Sequence, residues 1–88
     1  LSINRFENNH SYLILYPNPT YGLINIEKND SSEIINIEVY DMNTRMVYTN
    51  PLKEDISFID LNTLNKGVYF IKIITNNYIV IKKIIKKD

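Results

Sequence analysis

Apolar and polar residues along this chain alternate one by one, the period of a strand with one buried face, rather than at helical spacing. The clearest run is Ile34 to Tyr40, where Ile35, Ile37 and Val39 alternate with Asn36, Glu38 and Tyr40. Similar short runs of Ile, Val, Tyr and Phe recur between clusters of Asn, Asp, Ser, Pro and Gly. They predict strands at Leu13–Tyr16, Leu23–Glu27, Ile34–Tyr40, Met46–Thr49, Ile56–Leu61, Val68–Thr75 and Tyr78–Ile85, with no helix. The segment Asp41 to Arg45 is a hairpin turn, and Asn50-Pro51 breaks the chain before the fifth strand. Asn76-Asn77 tolerates the left-handed conformations of a tight hairpin. Residues 1–11 are polar and read as a linker, so the folded part, 12–88, begins near Tyr12.

About seven strands with turn signals every 8 to 12 residues or so predict an all-β chain, an immunoglobulin-like antiparallel β-sandwich. Its expected core includes Ile35, Ile37, Val39, Tyr69, Ile71 and Ile73, with Lys72 pointing outward.

Three stretches stand out from this background. In "YPNPTYG", residues 16–22, Pro17 and Pro19 lack an N–H and push Tyr16 and Asn18 toward extended geometry, so the stretch cannot lie inside a sheet. Asn18 and Pro19 fit the first two positions of a type I turn, and Gly22 can take a positive φ on entry to the next strand. In "LNTLNKGVYFIKI", residues 61–73, Leu64, Gly67 and Tyr69 have the spacing of a corner whose tyrosine hydroxyl bonds back to nearby backbone. In the terminal "IVIKKIIKKD", Lys82, Ile84 and Lys86 share one face and Lys83, Ile85 and Lys87 the other. Both faces therefore mix charge with aliphatic bulk. This suits an edge strand whose lysines deter pairing with other chains, and it equally suits a basic patch offered to a partner.

Composition narrows the chemistry. In 88 residues ten basic side chains balance ten acidic ones, so no global field draws the chain to nucleic acid or anionic lipid. Yet Lys72, Lys82, Lys83, Lys86 and Lys87, half of the basic residues, fall in the last 17 positions. The absence of cysteine excludes disulfides, thiolate catalysis and thiolate-bound zinc. One histidine, His10, sits in the linker, which leaves no Ser-His-Asp arrangement. Asp41, Asp55 and Asp60 adjoin turn residues and read as caps. The loop "NDSSE", residues 29–33, is the only faint calcium candidate, and as a turn it needs no ion. Neither a catalytic, a cofactor nor a metal site is expected. The longest nearly apolar run, Val68 to Ile74, is interrupted by Lys72 and far short of the roughly 18 residues of a membrane span. Direct membrane insertion is not expected. With Leu1 in first place and no basic-then-apolar leader, the chain is expected to be part of a longer precursor whose export signal lies elsewhere.

In this order and spacing, "YPNPTYG", "KGVYFIKI" and the terminal "KKIIKK", with "IINIEVYDMNTRMVY" between them, resemble the type A C-terminal sorting domain of the type IX secretion system of Bacteroidetes-type bacteria. The resemblance covers about residues 13 to 87. It implies a β-sandwich that acts as an address, not as an enzyme. The partners it implies are an upstream cargo domain and the translocon, shuttle and sortase proteins of the outer membrane. The path runs through the periplasm to the cell surface or medium, with cleavage in or upstream of the linker before Tyr12. The positions that match the family motifs are Pro17, Asn18, Pro19 and Gly22, then Gly67 and Tyr69, then Lys82, Lys83, Ile84, Ile85 and Lys86. One departure is the hairpin after "VYDM", where Asn43-Thr44 stands in place of the usual glycine. Threonine tolerates a left-handed conformation poorly, so a longer or bulged turn is expected. The alternative is an accessory carbohydrate-binding or adhesive module, which the scattered tyrosines and missing tryptophan do not favour.

Overall fold

The computed structural model describes residues 13–51 and 57–88, and the backbone alone at Pro51. It contains seven strands: β1 Leu13–Tyr16, β2 Leu23–Lys28, β3 Ile34–Tyr40, β4 Met46–Pro51, β5 Phe58–Asp60, β6 Gly67–Thr75 and β7 Ile79–Lys86. They form two antiparallel sheets, one ordered β1-β2-β5 and the other β4-β3-β6-β7. The inward residues of both sheets make one core. Leu13, Leu15, Ile24, Ile26 and Ile59 come from the first sheet, and Ile37, Val39, Tyr69, Ile71, Ile73, Val80 and Ile84 from the second. Burying each such aliphatic side chain stabilises the fold by about 1.5–3 kcal/mol, a large share for a chain this small. His10, Asp55 and the linker 1–11 lie outside the described residues, as does Ile56 of the expected fifth strand.

Ile37, Val39, Tyr69, Ile71 and Ile73 are buried as the alternation predicts, and Lys72 is directed outward, its ammonium 3.9 Å from Glu38. Ile35 is not part of the core: it is 50% exposed. The register of β3 against β6 shifts between Ile34, opposite Thr75, and Asn36, opposite Ile74. Ile35 is the extra residue of a bulge, which reverses the phase and lets Ile34 pack on the core instead.

The turns carry two further corrections and one agreement. Asn50 and Pro51 do not break the chain but belong to β4, an edge strand, where a missing N–H costs the ladder little. Neither Asn76 nor Asn77 has a positive φ. Instead Asn76 exchanges bonds with Glu33, accepting its N–H at 2.9 Å and donating its own to the Glu33 carbonyl at 3.0 Å, while the Asn77 amide donates to Ser32 Oγ at 3.0 Å. These asparagines tie the β6–β7 hairpin to the β2–β3 loop. In the β3–β4 hairpin the left-handed residue is Thr44, at φ 61, and the register shifts between Val39 and Tyr40, so the expected bulge is present. Asp41 holds this turn, accepting the N–H groups of Asn43 and Arg45 at 2.8 and 3.0 Å and the Arg45 guanidinium at 3.0 Å.

Candidate functional site

The stretch "YPNPTYG" links β1 to β2 across the end of the molecule, and in doing so it reaches the free edge of β7. Both Tyr16-Pro17 and Asn18-Pro19 are cis. The Asn18 side chain is spent on β7 rather than on its own turn. Its amide behaves like a peptide group of an added strand. Nδ2 donates to the Lys83 carbonyl at 2.9 Å, and Oδ1 accepts the Ile85 N–H at 3.0 Å. Two residues on, the Thr20 N–H donates to Ile85 O at 2.9 Å and the Lys87 N–H donates to Thr20 O at 2.8 Å, a parallel bridge. Asn18 and Thr20 thus cap, one after the other, the outward-facing backbone groups of β7 from Lys83 O to Lys87 N.

Glycine is required on the far side of this corner. Gly22 has φ +154, and an added Cβ would overlap the Asn62 side chain, with Cγ only 2.6 Å away. Asn62 is itself fixed by Asp60, which accepts its N–H at 2.9 Å and its Nδ2 at 2.8 Å. The Gly22 carbonyl accepts the Leu61 N–H at 2.7 Å, which continues the β2–β5 pairing into the corner. Thr20 is 1% exposed, and its hydroxyl donates to Leu23 O at 2.7 Å while accepting the Gly22 N–H at 3.0 Å.

The second motif lies on the strand next to β7. Gly67, at φ +152, is opposite Lys86, and Tyr69 is opposite Ile84. The Tyr69 ring is in the core and its hydroxyl donates to the Asn65 carbonyl at 2.6 Å, the corner expected from the spacing. All three sequence stretches therefore meet around the C-terminal half of β7.

Within β7 the two faces differ. Val80, Ile84 and Lys86 are buried, with Lys86 only 7% exposed, while Lys83, Ile85 and Lys87 are exposed. Lys82 is half-buried, and burial lowers its ammonium pKa from the ordinary value. The terminal lysines are consequently not one uniform patch. At the end of the chain Asp88 lies 3.8 Å from the exposed ammonium of Lys66, a pair worth little in water.

Thr20 was not among the positions the sequence singled out. Its local signal is a hydroxyl two residues before a glycine, the pattern of a threonine-backbone turn, but its bridge to Lys86 joins distant parts of the chain and has no local trace. At the opposite end, Asp30 accepts Tyr78 OH at 2.8 Å and the Ser32 N–H and hydroxyl at 3.1 and 3.2 Å, with Lys28 Nζ at 4.0 Å. Burial alone would raise this carboxyl, but those bonds and the lysine outweigh it and hold the pKa below the usual value. The faint calcium loop is thus a loop whose carboxylate serves its own chain. Among the described residues no three His, Cys, Asp or Glu side chains cluster as metal ligands would.

The family model described as the secretion system C-terminal sorting domain matches residues 14–87. No curated protein is detectably similar in sequence.

Proposed function

This chain belongs to the family of secretion system C-terminal sorting domains, the sorting elements of type IX cargo proteins, and from that membership we propose how it acts. Sorting entails traffic out of the cytoplasm. The observation that carries the reading is the convergence of three separated motifs on β7, where the Asn18 amide bridges Lys83 O and Ile85 N–H. The domain is an immunoglobulin-like β-sandwich whose last strand is the address. Supporting this fold are the shared core, the sheet orders β1-β2-β5 and β4-β3-β6-β7, and a tyrosine corner at the start of β6.

The folded unit, residues 12–88, follows a linker, 1–11, that joins it to the cargo. A pinned β7 presents Lys83 and Ile85 to the outer-membrane translocon and its shuttle proteins, and a surface sortase then cuts in or before the linker. Cargo so labelled passes through the periplasm and ends on the surface or in the medium. Pro17, Asn18, Pro19, Gly22, Gly67, Tyr69 and Ile84 hold the strand; Lys82 and Lys86 bury their stems along it.

The test is a fusion of this chain to a periplasm-directed red fluorescent reporter in a bacterium with type IX machinery. Export of the native fusion is expected, and retention in the periplasm sinks the reading. The informative charge variant is Lys83→Gln with Lys87→Gln, because these lysines are exposed and substitutions there shift stability by about 0.5 kcal/mol or less. Reduced export of this folded variant is expected; unchanged export would mean that the lysine charges serve only to protect the edge.

A further inference from the structure

We infer that Thr20 is a positioning residue for export: it fixes the path of Ile85 to Asp88, and the machinery reads the tail only when it is docked there. The inference rests on the sorting reading. Four bonds converge on this one residue. Its hydroxyl shapes the corner by joining Leu23 O and Gly22 N–H, while its peptide groups hold Ile85 O and Lys87 N–H. At 1% exposure it offers no surface of its own to a receptor. Any influence on recognition must therefore pass through what it holds. Past β7, the structure ties Lys87 and Asp88 to the body through the Lys87 N–H to Thr20 and the exposed Asp88–Lys66 pair. The exposed pair contributes little, so the Thr20 contact decides whether Lys87 and Asp88 lie along the body or swing free.

Thr20→Val keeps the branched shape and removes the hydroxyl, leaving the buried Gly22 N–H without its acceptor. The corner then loosens. Hydrogen exchange on the 88-residue chain should show about a tenfold loss of protection at the Lys87 amide, with the Ile71 and Ile73 amides of β6 unchanged. Thr20→Ser retains the hydroxyl and should restore both protection and export. In the reporter fusion Thr20→Val should lower the exported fraction severalfold. A core variant such as Ile37→Val, matched to it in urea midpoint, should export normally.

Shortening the chain after Lys86 removes the amide that Thr20 holds, so it should lower export, and Thr20→Val should add no further loss in that background. The inference is overturned if Thr20→Val loosens Lys87 yet exports as the native chain does, if the matched core variant loses as much export, or if the truncation and Thr20→Val act independently. A native fusion that is not exported would refute the sorting reading itself, and so separates the two failures.

Discussion

Asn18→Asp tests the bridge to β7 with almost no change of shape. The substitution keeps the oxygen that accepts the Ile85 N–H at 3.0 Å, but it replaces the donor facing Lys83 O at 2.9 Å with a second carboxylate oxygen. One neutral hydrogen bond is lost, worth about 0.5–1.5 kcal/mol net, and two oxygens are left facing each other. Both groups lie on an exposed edge, so water can solvate the stranded carbonyl and the larger penalty of a buried orphan does not apply. Screened repulsion adds a few tenths, giving about 1–2 kcal/mol at pH 7. Against a total of about 5–15 kcal/mol this is readily measured, and each kcal/mol lowers the melting temperature of such a domain by about 4–8 °C.

Acid should partly undo the loss. Once protonated, the introduced carboxyl regains a donor for Lys83 O; the Ile85 N–H favours the charged form, but the lost bond and the two facing oxygens outweigh it, so the folded state raises this carboxyl above the ordinary value of about 3.9. A raised carboxyl pKa means that the folded state takes up the proton first. The gap between variant and native stability therefore shrinks as pH falls through the folded value. Urea denaturation of both chains at pH 7 and pH 4, with hydrogen exchange at the Ile85 amide, measures the effect. A variant midpoint equal to the native one at pH 7, or a gap that widens on acidification, refutes the reasoning.

Three other expectations concern the same network and its hairpins. Gly22→Ala should cost about 1–3 kcal/mol and more than Gly67→Ala, because both positions have a positive φ but a Cβ at Gly67 meets nothing within 4 Å; equal urea midpoints for the two variants would discredit the Asn62 overlap. Thr44→Gly should stabilise the chain by up to about 1 kcal/mol, since relief of a left-handed β-branched residue at φ 61 exceeds the entropy glycine adds to the unfolded state; a lower melting temperature would contradict this. The Asp41 pKa is lowered chiefly by the Arg45 N–H, with burial opposing and the Asn43 N–H and the Arg45 side chain adding to it, so its contribution is present above the unfolded value and is lost as pH falls through the folded one. Asp41→Asn should therefore flatten the fall of the urea midpoint on acidification below about pH 4, and an unchanged slope would argue against the assignment.

The limits of the sequence follow from where phase information is stored. Ile34–Tyr40 was legible from its period of two, and Leu13–Tyr16 from a short apolar run that the prolines of the next segment end. Ile35 was misplaced because Ile34 and Ile35 are chemically identical, so nothing local tells which faces inward; the bulge against Thr75 and Ile74 decides it. The terminal strand has the same ambiguity in stronger form. "KKIIKK" doubles every residue, so a period of two finds identical faces, and only pairing of Gly67 with Lys86 and Tyr69 with Ile84 sets which isoleucine is buried. The prolines of "YPNPTYG" did report that the segment leaves the sheet. They carried no sign that Asn18 would serve as a strand-like partner for residues 65 and 67 positions later.

This division of labour bears on how a sorting motif is to be read. Seven of the eleven motif positions have structural duties that explain their residue type without any receptor. The prolines keep the corner out of the sheet, Asn18 supplies both a donor and an acceptor, the two glycines take positive φ, Tyr69 closes its corner and Ile84 fills the core. Two of the lysines, Lys82 and Lys86, are respectively partly and almost wholly buried. The exposed remainder is Lys83 and Ile85, which stand beside Phe70 and Val68 of β6 in the register, together with Lys87. The outer backbone of this half of β7 is already occupied from Lys83 O to Lys87 N. Adding a strand along this half of β7 would require displacing Asn18 and Thr20, so the edge there is closed to further pairing.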